Sequence, residues 1–255
     1  IVFLVVPSFC IESTVKTMIK YLKKPVICVD VSKGIDEKSL GLIPDTIKKY
    51  LPSSSKKLVA TVSGPAIAVD MAKGGFTAMN LASSSLKSIK IVKEILENKN
   101  LKLFASRDVV GIEITGSFKN VYAIAMGLCD GLKMPMNTKA ALLVLALKEI
   151  SLLVKKMKGK AETVYDLAGL GDLVGTGLCK SSRNRTFGEL LAKGSDIKKA
   201  VSKVGQVVEG VGAAKTLHTL GKKYKVKTPF AEMIYKVSSG KVKPREGLQK
   251  FLESL

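Results

Sequence analysis

LKLFASRDVVGIEITGSFKNVYAIAMGL, residues 101–128, contains the change of pattern that decides the fold. Leu101–Ala105 is a short apolar run of the kind that forms a buried strand. After Arg107 the spacing changes, and from Val109 onward apolar residues recur with a helical period. Upstream, Ile1–Val6, Val26–Val31, Leu58–Val62 and Phe76–Leu81 are further strand-like runs rich in Val, Ile and Leu. Between them Ile11–Leu22, Asp36–Tyr50, Ile67–Lys73 and Ser85–Glu97 have helical spacing, with Ser85 placed to cap the last of these. Such alternation predicts a mostly parallel sheet with right-handed crossovers. Downstream, helical faces follow one another: Ile114–Leu128, Thr138–Met157, Ala161–Leu167, Arg185–Lys193, Asp196–Val204, Val211–Tyr224, Ala231–Val237 and Glu246–Leu255. Gly and Pro punctuate them. The expected architecture is an α/β domain over residues 1–107 followed by an all-α domain over 108–255, a plan that recurs in nucleotide-dependent enzymes.

Composition narrows the function. Among 255 residues, Lys+Arg number 42 and Asp+Glu 21, a formal charge of +21. A polyanionic partner such as nucleic acid is the first reading of that surplus. Arginine, however, occurs only at 107, 183, 185 and 245, and the lysines are scattered, with no run longer than a pair. Bidentate readers of phosphates and bases use Arg, whereas scattered Lys forms a solvated surface. Neither a nucleic-acid partner nor a membrane partner is therefore expected. The longest apolar run, Ala140–Leu147, is too short to span a bilayer. Cys10, Cys28, Cys129 and Cys179 lie far apart without metal-type spacing, which points to a reduced, cytoplasmic setting and no zinc or disulfide scaffold. His218 is the single histidine and is read as a surface residue of a helix-like stretch, so neither a His-based triad nor a multi-His metal site is expected.

Four clusters could carry chemistry. Ser32-Lys33-Gly34 follows a strand, where a lysine beside glycine either approaches an anion or simply turns the chain. Ser63-Gly64-Pro65 also follows a strand and is read as opening a helix, whose N-terminal N–H groups favour anions. Lys119 and Asn120 sit within an otherwise apolar, small-residue helix. A desolvated lysine there suits general acid/base work, and a lysine reaching out to solvent is the alternative. Last, Gly169-Leu-Gly-Asp-Leu-Val-Gly-Thr-Gly is followed by Ser182-Arg-Asn-Arg, where Arg183 and Asn184 at a helix start could grip a phosphate. No G-x-G-x-x-G is present.

Taken together, the chain resembles the NAD(P)-dependent glycerol-3-phosphate dehydrogenase family. The resemblance rests on VPS at 6–8, SKG at 32–34, SGPAIA at 63–68, GSFKNVYAIAMG at 116–127, NTKAA at 137–141, GLGDLV at 169–174, SRNRTFG at 182–188 and VVEGVGAAK at 207–215. It implies an incomplete Rossmann-like domain followed by a helical substrate and dimerisation domain. The implied reaction is reversible reduction of dihydroxyacetone phosphate with NAD or NADP. Lys119 matches the catalytic lysine, and Asp172 the acid that orients it and bonds a substrate hydroxyl, so both also count among the substrate contacts. Gly64, Ser182, Arg183 and Asn184 match substrate contacts. Lys33 reaches both substrate and cofactor, and Pro7, Ala68, Arg183, Val207 and Glu209 match cofactor contacts. No metal is implied, and a homodimer is. Ala66 departs from the Asn, Ser or Thr usual at its position.

The resemblance begins at a late strand of the cofactor domain, so the first strands and the Gly-rich loop have no counterpart in this sequence. An N-terminally truncated chain that binds NADH poorly is the resulting expectation. Three alternatives stand beside the main reading: a related hydroxy-acid reductase, a lysine-rich nucleic-acid-binding protein, and a non-catalytic remnant.

Overall fold

The computed structural model describes residues 1–36 and 38–255. The chain divides into two compact units, one comprising Ile1–Ser117 with Lys158–Gly171 and the other Phe118–Met157 with Asp172–Leu255. The sequence-based boundary at 107/108 falls just before the long helix α6 (Val109–Gly131), whose first residues belong to the first unit and the rest to the second.

The first unit is built on a five-stranded sheet in the order β1 (Val2–Leu4), β2 (Cys28–Asp30), β5 (Ala60–Ser63), β6 (Thr77–Ser83), β7 (Leu101–Ser106). All five strand-like runs of the sequence form these strands. Pairing is parallel for β1–β2, β2–β5 and β6–β7, and antiparallel for β5–β6. The reversal has a geometric cause. The β5–β6 connection carries only α4 (Ala68–Ala72), five residues and about 7.5 Å long, against about 23 Å for the seven residues of β6. So short a helix cannot carry the chain back for a parallel return.

Each sheet face is packed. On one side Leu4, Cys28 and Val59 meet Ile11 and Val15 of α1 (Ile11–Met18) and Ile43 and Ile47 of α2 (Ile43–Tyr50). On the other, Val29, Val62, Leu81 and Leu103 meet Ile89 and Val92 of α5 (Leu86–Leu96). The Ser85 hydroxyl accepts the Ser88 N–H at 3.1 Å and caps α5 as expected.

Two expectations fail locally. The helix expected over Asp36–Tyr50 starts only at Ile43. Before it lies a small hairpin, β3 (Ile35–Asp36) with β4 (Gly41–Leu42). The Asp36 carboxylate accepts from the Ser39 N–H at 2.7 Å and the Ser39 hydroxyl at 2.8 Å, which closes a turn that competes with helix. Glu37, also within that expected helix, lies outside the described residues. Ser63-Gly64-Pro65 does not open a helix directly either, because α4 begins at Ala68. A further short helix, α3 (Ser53–Lys56), was not anticipated.

The second unit is helical. It contains the remainder of α6, α7 (Met136–Lys156), α8 (Asp172–Gly177), α9 (Arg183–Ala192), α10 (Ile197–Val204), α11 (Glu209–Tyr224), α12 (Pro229–Ser238) and α13 (Pro244–Glu253). Residues 111–129 of α6 are all buried, which explains a helix apolar all round rather than on one stripe. Among the described residues no helix is long and apolar enough to cross a membrane.

Candidate functional site

In the first unit, three sequence clusters meet at the carboxyl ends of the parallel strands β1, β2 and β5, the edge at which open α/β sheets bind ligands. Asp30 ends β2, and its Oδ1 accepts the Ser32 N–H at 2.9 Å, turning the chain into Ser32-Lys33-Gly34. The Ser32 hydroxyl donates to the Val6 carbonyl at 2.7 Å, and Lys33 Nζ donates to the Gly64 carbonyl at 3.2 Å. Gly34 has φ +150°, and a Cβ there would lie 2.8 Å from Ser8 Oγ, so the turn needs glycine both for its backbone and for its contact with the Val6-Pro7-Ser8 segment. Pro7 and Ala68 are exposed and Gly64 is buried. VPS, SKG and SGP are therefore one assembly, although 56 residues separate Ser8 from Gly64.

The second unit assembles the other set. Lys119, 8% exposed on α6, donates from Nζ to Asp172 Oδ1 at 2.5 Å and to Thr176 Oγ1 at 2.8 Å. Asp172 is 1% exposed and opens α8, which places Thr176 one turn further on the same face; the Thr176 hydroxyl reaches Asp172 Oδ1 at 3.1 Å. The helix around Lys119 is apolar, as its sequence reads, and the resemblance implied Asp172 as the acid beside the lysine. Its ammonium faces that carboxylate, which compensates its removal from water. Thr176 was not singled out from sequence. The signal available for it was its i+4 spacing from Asp172.

Beside this triangle, Asn120 Nδ2 donates to Glu209 Oε2 at 2.9 Å, and Asn184 Oδ1 accepts the Gly210 N–H at 2.8 Å. A Cβ on Gly210 would lie 2.5 Å from the Asn120 carbonyl and 2.8 Å from Asn184 Oδ1, so only glycine allows α11 to start there. Ser182 caps α9, its hydroxyl accepting the Arg185 N–H at 3.4 Å, and Arg183 follows, half-buried. Arg185, by contrast, is committed to structure: it pairs with Asp130 at 2.5 Å. Val207 is 63% exposed and joins none of these bonds.

The remaining titratable candidates lie elsewhere. His218 stacks on Tyr235 with ring centroids 5.8 Å apart. The four thiols are unpaired, and burial pushes Cys28 up to about 11 and Cys129 up to about 12.

Two family profiles match the chain. The N-terminus of NAD-dependent glycerol-3-phosphate dehydrogenase matches residues 1–89, and the C-terminus of the same family matches residues 108–249. The glycerol-3-phosphate dehydrogenase [NAD(P)+] of Mesoplasma florum is 36% identical over 247 residues, covering 96% of this chain and 73% of the relative. That of Fusobacterium nucleatum is 38% identical over 234 residues, covering 92% and 70%. Among solved structures, glycerol-3-phosphate dehydrogenase from Coxiella burnetii superposes with a TM-score of 0.92 at 33% identity, covering 98% of this chain and 76% of that one.

Proposed function

The chain belongs to the NAD-dependent glycerol-3-phosphate dehydrogenase family, and from that membership we infer an oxidoreductase that interconverts sn-glycerol 3-phosphate and dihydroxyacetone phosphate with NAD(H) or NADP(H). The observation that carries the mechanism is the buried Lys119–Asp172–Thr176 triangle, an ammonium held at a defined point by two fixed oxygens.

The strand ends suit a dinucleotide. Pro7, Gly34 and Gly64 keep long side chains away from that edge, while Lys33 brings one positive charge to it. When bound, NAD(H) or NADP(H) supplies or accepts the hydride. Pro7, Lys33, Ala68, Arg183, Val207 and Glu209 are the residues we assign to holding it, Glu209 being fixed by Asn120.

At the substrate, the Lys119 ammonium polarises the C2 carbonyl and gives its proton to the developing alkoxide; in the reverse direction the neutral amine takes the proton from the C2 hydroxyl. Asp172 and Thr176 keep Nζ aimed and stabilise the charged form. Lys33, Gly64, Ser182, Arg183 and Asn184 are assigned to the substrate's phosphate end, where the charge-assisted bonds of a guanidinium are strongest. Residues 1–107 then serve as the dinucleotide-binding part and 108–255 as the substrate part. A homodimer fits the exposed Met136, Val144 and Leu152 along α7, and a cytoplasmic setting fits the four unpaired thiols.

The test is NADH and NADPH oxidation by the chain with dihydroxyacetone phosphate, beside a panel of 2-keto acids. Turnover confined to the phosphorylated ketone is expected. Turnover confined to a keto acid would move the chain to the hydroxy-acid reductases. Lys119→Ala should lower kcat by roughly 10²–10⁴, and a loss under tenfold would remove Lys119 from the acid/base role.

A further inference from the structure

Beneath the Lys33 turn lies a group of acids that the proposed reaction does not use. Asp30 is 0% exposed, yet its Oδ2 has no hydrogen-bond partner among the described residues. Directly opposite it in the β2–β5 pairing is Thr61, whose hydroxyl donates to Oε1 of Glu113, itself 4% exposed near the start of α6. Ser63, two residues along the same face of β5, also has a buried hydroxyl without a partner among the described residues. Two carboxyls, two hydroxyls and the apolar side chains of α1 and α2 thus share one dry sheet face. A single acceptor for the Ser32 N–H would not require a carboxyl there, because desolvating one is costly.

We propose that Asp30 is the positioning residue for Lys33: buried beside Glu113 and acting through the Ser32 N–H, it fixes the turn that the Val6 and Gly64 carbonyls then complete. The proposal rests on the proposed function only in giving Lys33 its role.

The chemistry of the pocket supports a neutral acid. Desolvation, outweighing the hydrogen bonding from Ser32, lifts Asp30 to about 7. Burial, then the Asp30 charge, lifts Glu113 well above the usual carboxylate range. The other charged groups acting on Glu113 are Asp45, which raises it further, and Lys48, which opposes this, both from α2. In this state the folded protein binds protons that the unfolded chain has released above about pH 4. Stability therefore falls as pH rises from there through about 7, and the loss persists above that range.

Three variants of the full chain test this by hydrogen exchange of residues 31–36, thermal melts from pH 5 to 9, and the Michaelis constant for dihydroxyacetone phosphate. Asp30→Asn keeps the acceptor and removes the titration. Exchange like the wild type and a melting-temperature advantage over it that widens with pH are expected. Asp30→Ala loses the acceptor: exchange at 31–36 at least tenfold faster and KM raised at least fivefold, with kcat within threefold, are expected. Glu113→Gln leaves the Ser32 bond intact and should flatten the pH dependence. Asn as damaging as Ala, or Ala with wild-type exchange, would overturn the proposal. If Asp30→Ala does not fold, melts of Asp30→Asn and Glu113→Gln decide, and profiles parallel to the wild type count against it. A wild type without turnover would defeat the proposed function alone, since exchange and melting need no reaction.

Discussion

Lys119 and Asp172 are 53 residues apart in the chain, yet Nζ and Oδ1 lie 2.5 Å apart, and that meeting fixes the ammonium of a buried lysine. A charge-assisted bond contributes about 1.5–3 kcal/mol, whereas a neutral one contributes about 0.5–1.5. Asp172→Asn, which keeps the shape and removes the charge, should therefore lower kcat about 10–100-fold, and Thr176→Val about 2–10-fold. Steady-state kcat at saturating ketone measures both, and the reverse ranking would show that Thr176, not Asp172, aims the ammonium. Both residue types could be noticed in sequence, Asp172 through its glycine-flanked setting. The resemblance implied that Asp172 orients Lys119; that Thr176 faces the same nitrogen was not read, because no local period links α6 to α8.

Among the elements, those with a strong period were legible and those set by single side chains were not. The five sheet strands and the long helices follow from runs of β-branched residues and from 3.6-residue spacing. The β3–β4 hairpin depends on one Asp36 side chain, and the antiparallel entry of β6 depends on the shortness of α4. Residues 167–171 show the same limit: a glycine-rich stretch to which no element was assigned is a wide helical turn, with the Gly171 N–H reaching the Asp166 carbonyl at 3.2 Å. Asn80 braces it, donating to Asp166 Oδ2 and accepting the Ala168 N–H. The start of α11 offers a direct test at this scale. Gly210→Ala places a methyl against the Asn120 carbonyl, and overpacking of this kind costs roughly 1–3 kcal/mol. A lowered melting temperature is expected, since Asn120, Asn184 and Glu209 lose their common seat. Full stability by thermal melt would show that α11 can shift freely.

For the whole molecule, the +21 charge comes mostly from lysine, and some of the basic groups are built into buried or half-buried polar contacts. Lys33 on the Gly64 carbonyl and Lys119 on Asp172 are two such groups. The remaining charge acts at long range, drawing anionic substrate inward over a distance that shrinks with salt. Raising ionic strength from ~0.01 to ~0.15 M shortens the screening length from about 30 to about 8 Å. KM for dihydroxyacetone phosphate should then rise severalfold while kcat holds. Salt-independent KM in steady-state assays would assign recognition to the fixed contacts alone.

Sequence alone determined what local periodicity and composition can encode: an α/β half followed by a helical half, the cap at Ser85, and the positions of Lys33, Lys119, Asp172, Arg183 and Glu209 in recognisable segments. Only the tertiary structure decided which of these meet. It set Lys119 against Asp172 and Thr176, Asn120 against Glu209, the Ser32 turn against Val6 and Gly64, and Asp30 beside Glu113 in a dry interior. The physical reason is range. Helix and strand periods act over a few residues, whereas hydrogen bonds and desolvation depend on atoms that only the packed chain brings within 3 Å or shuts away from water.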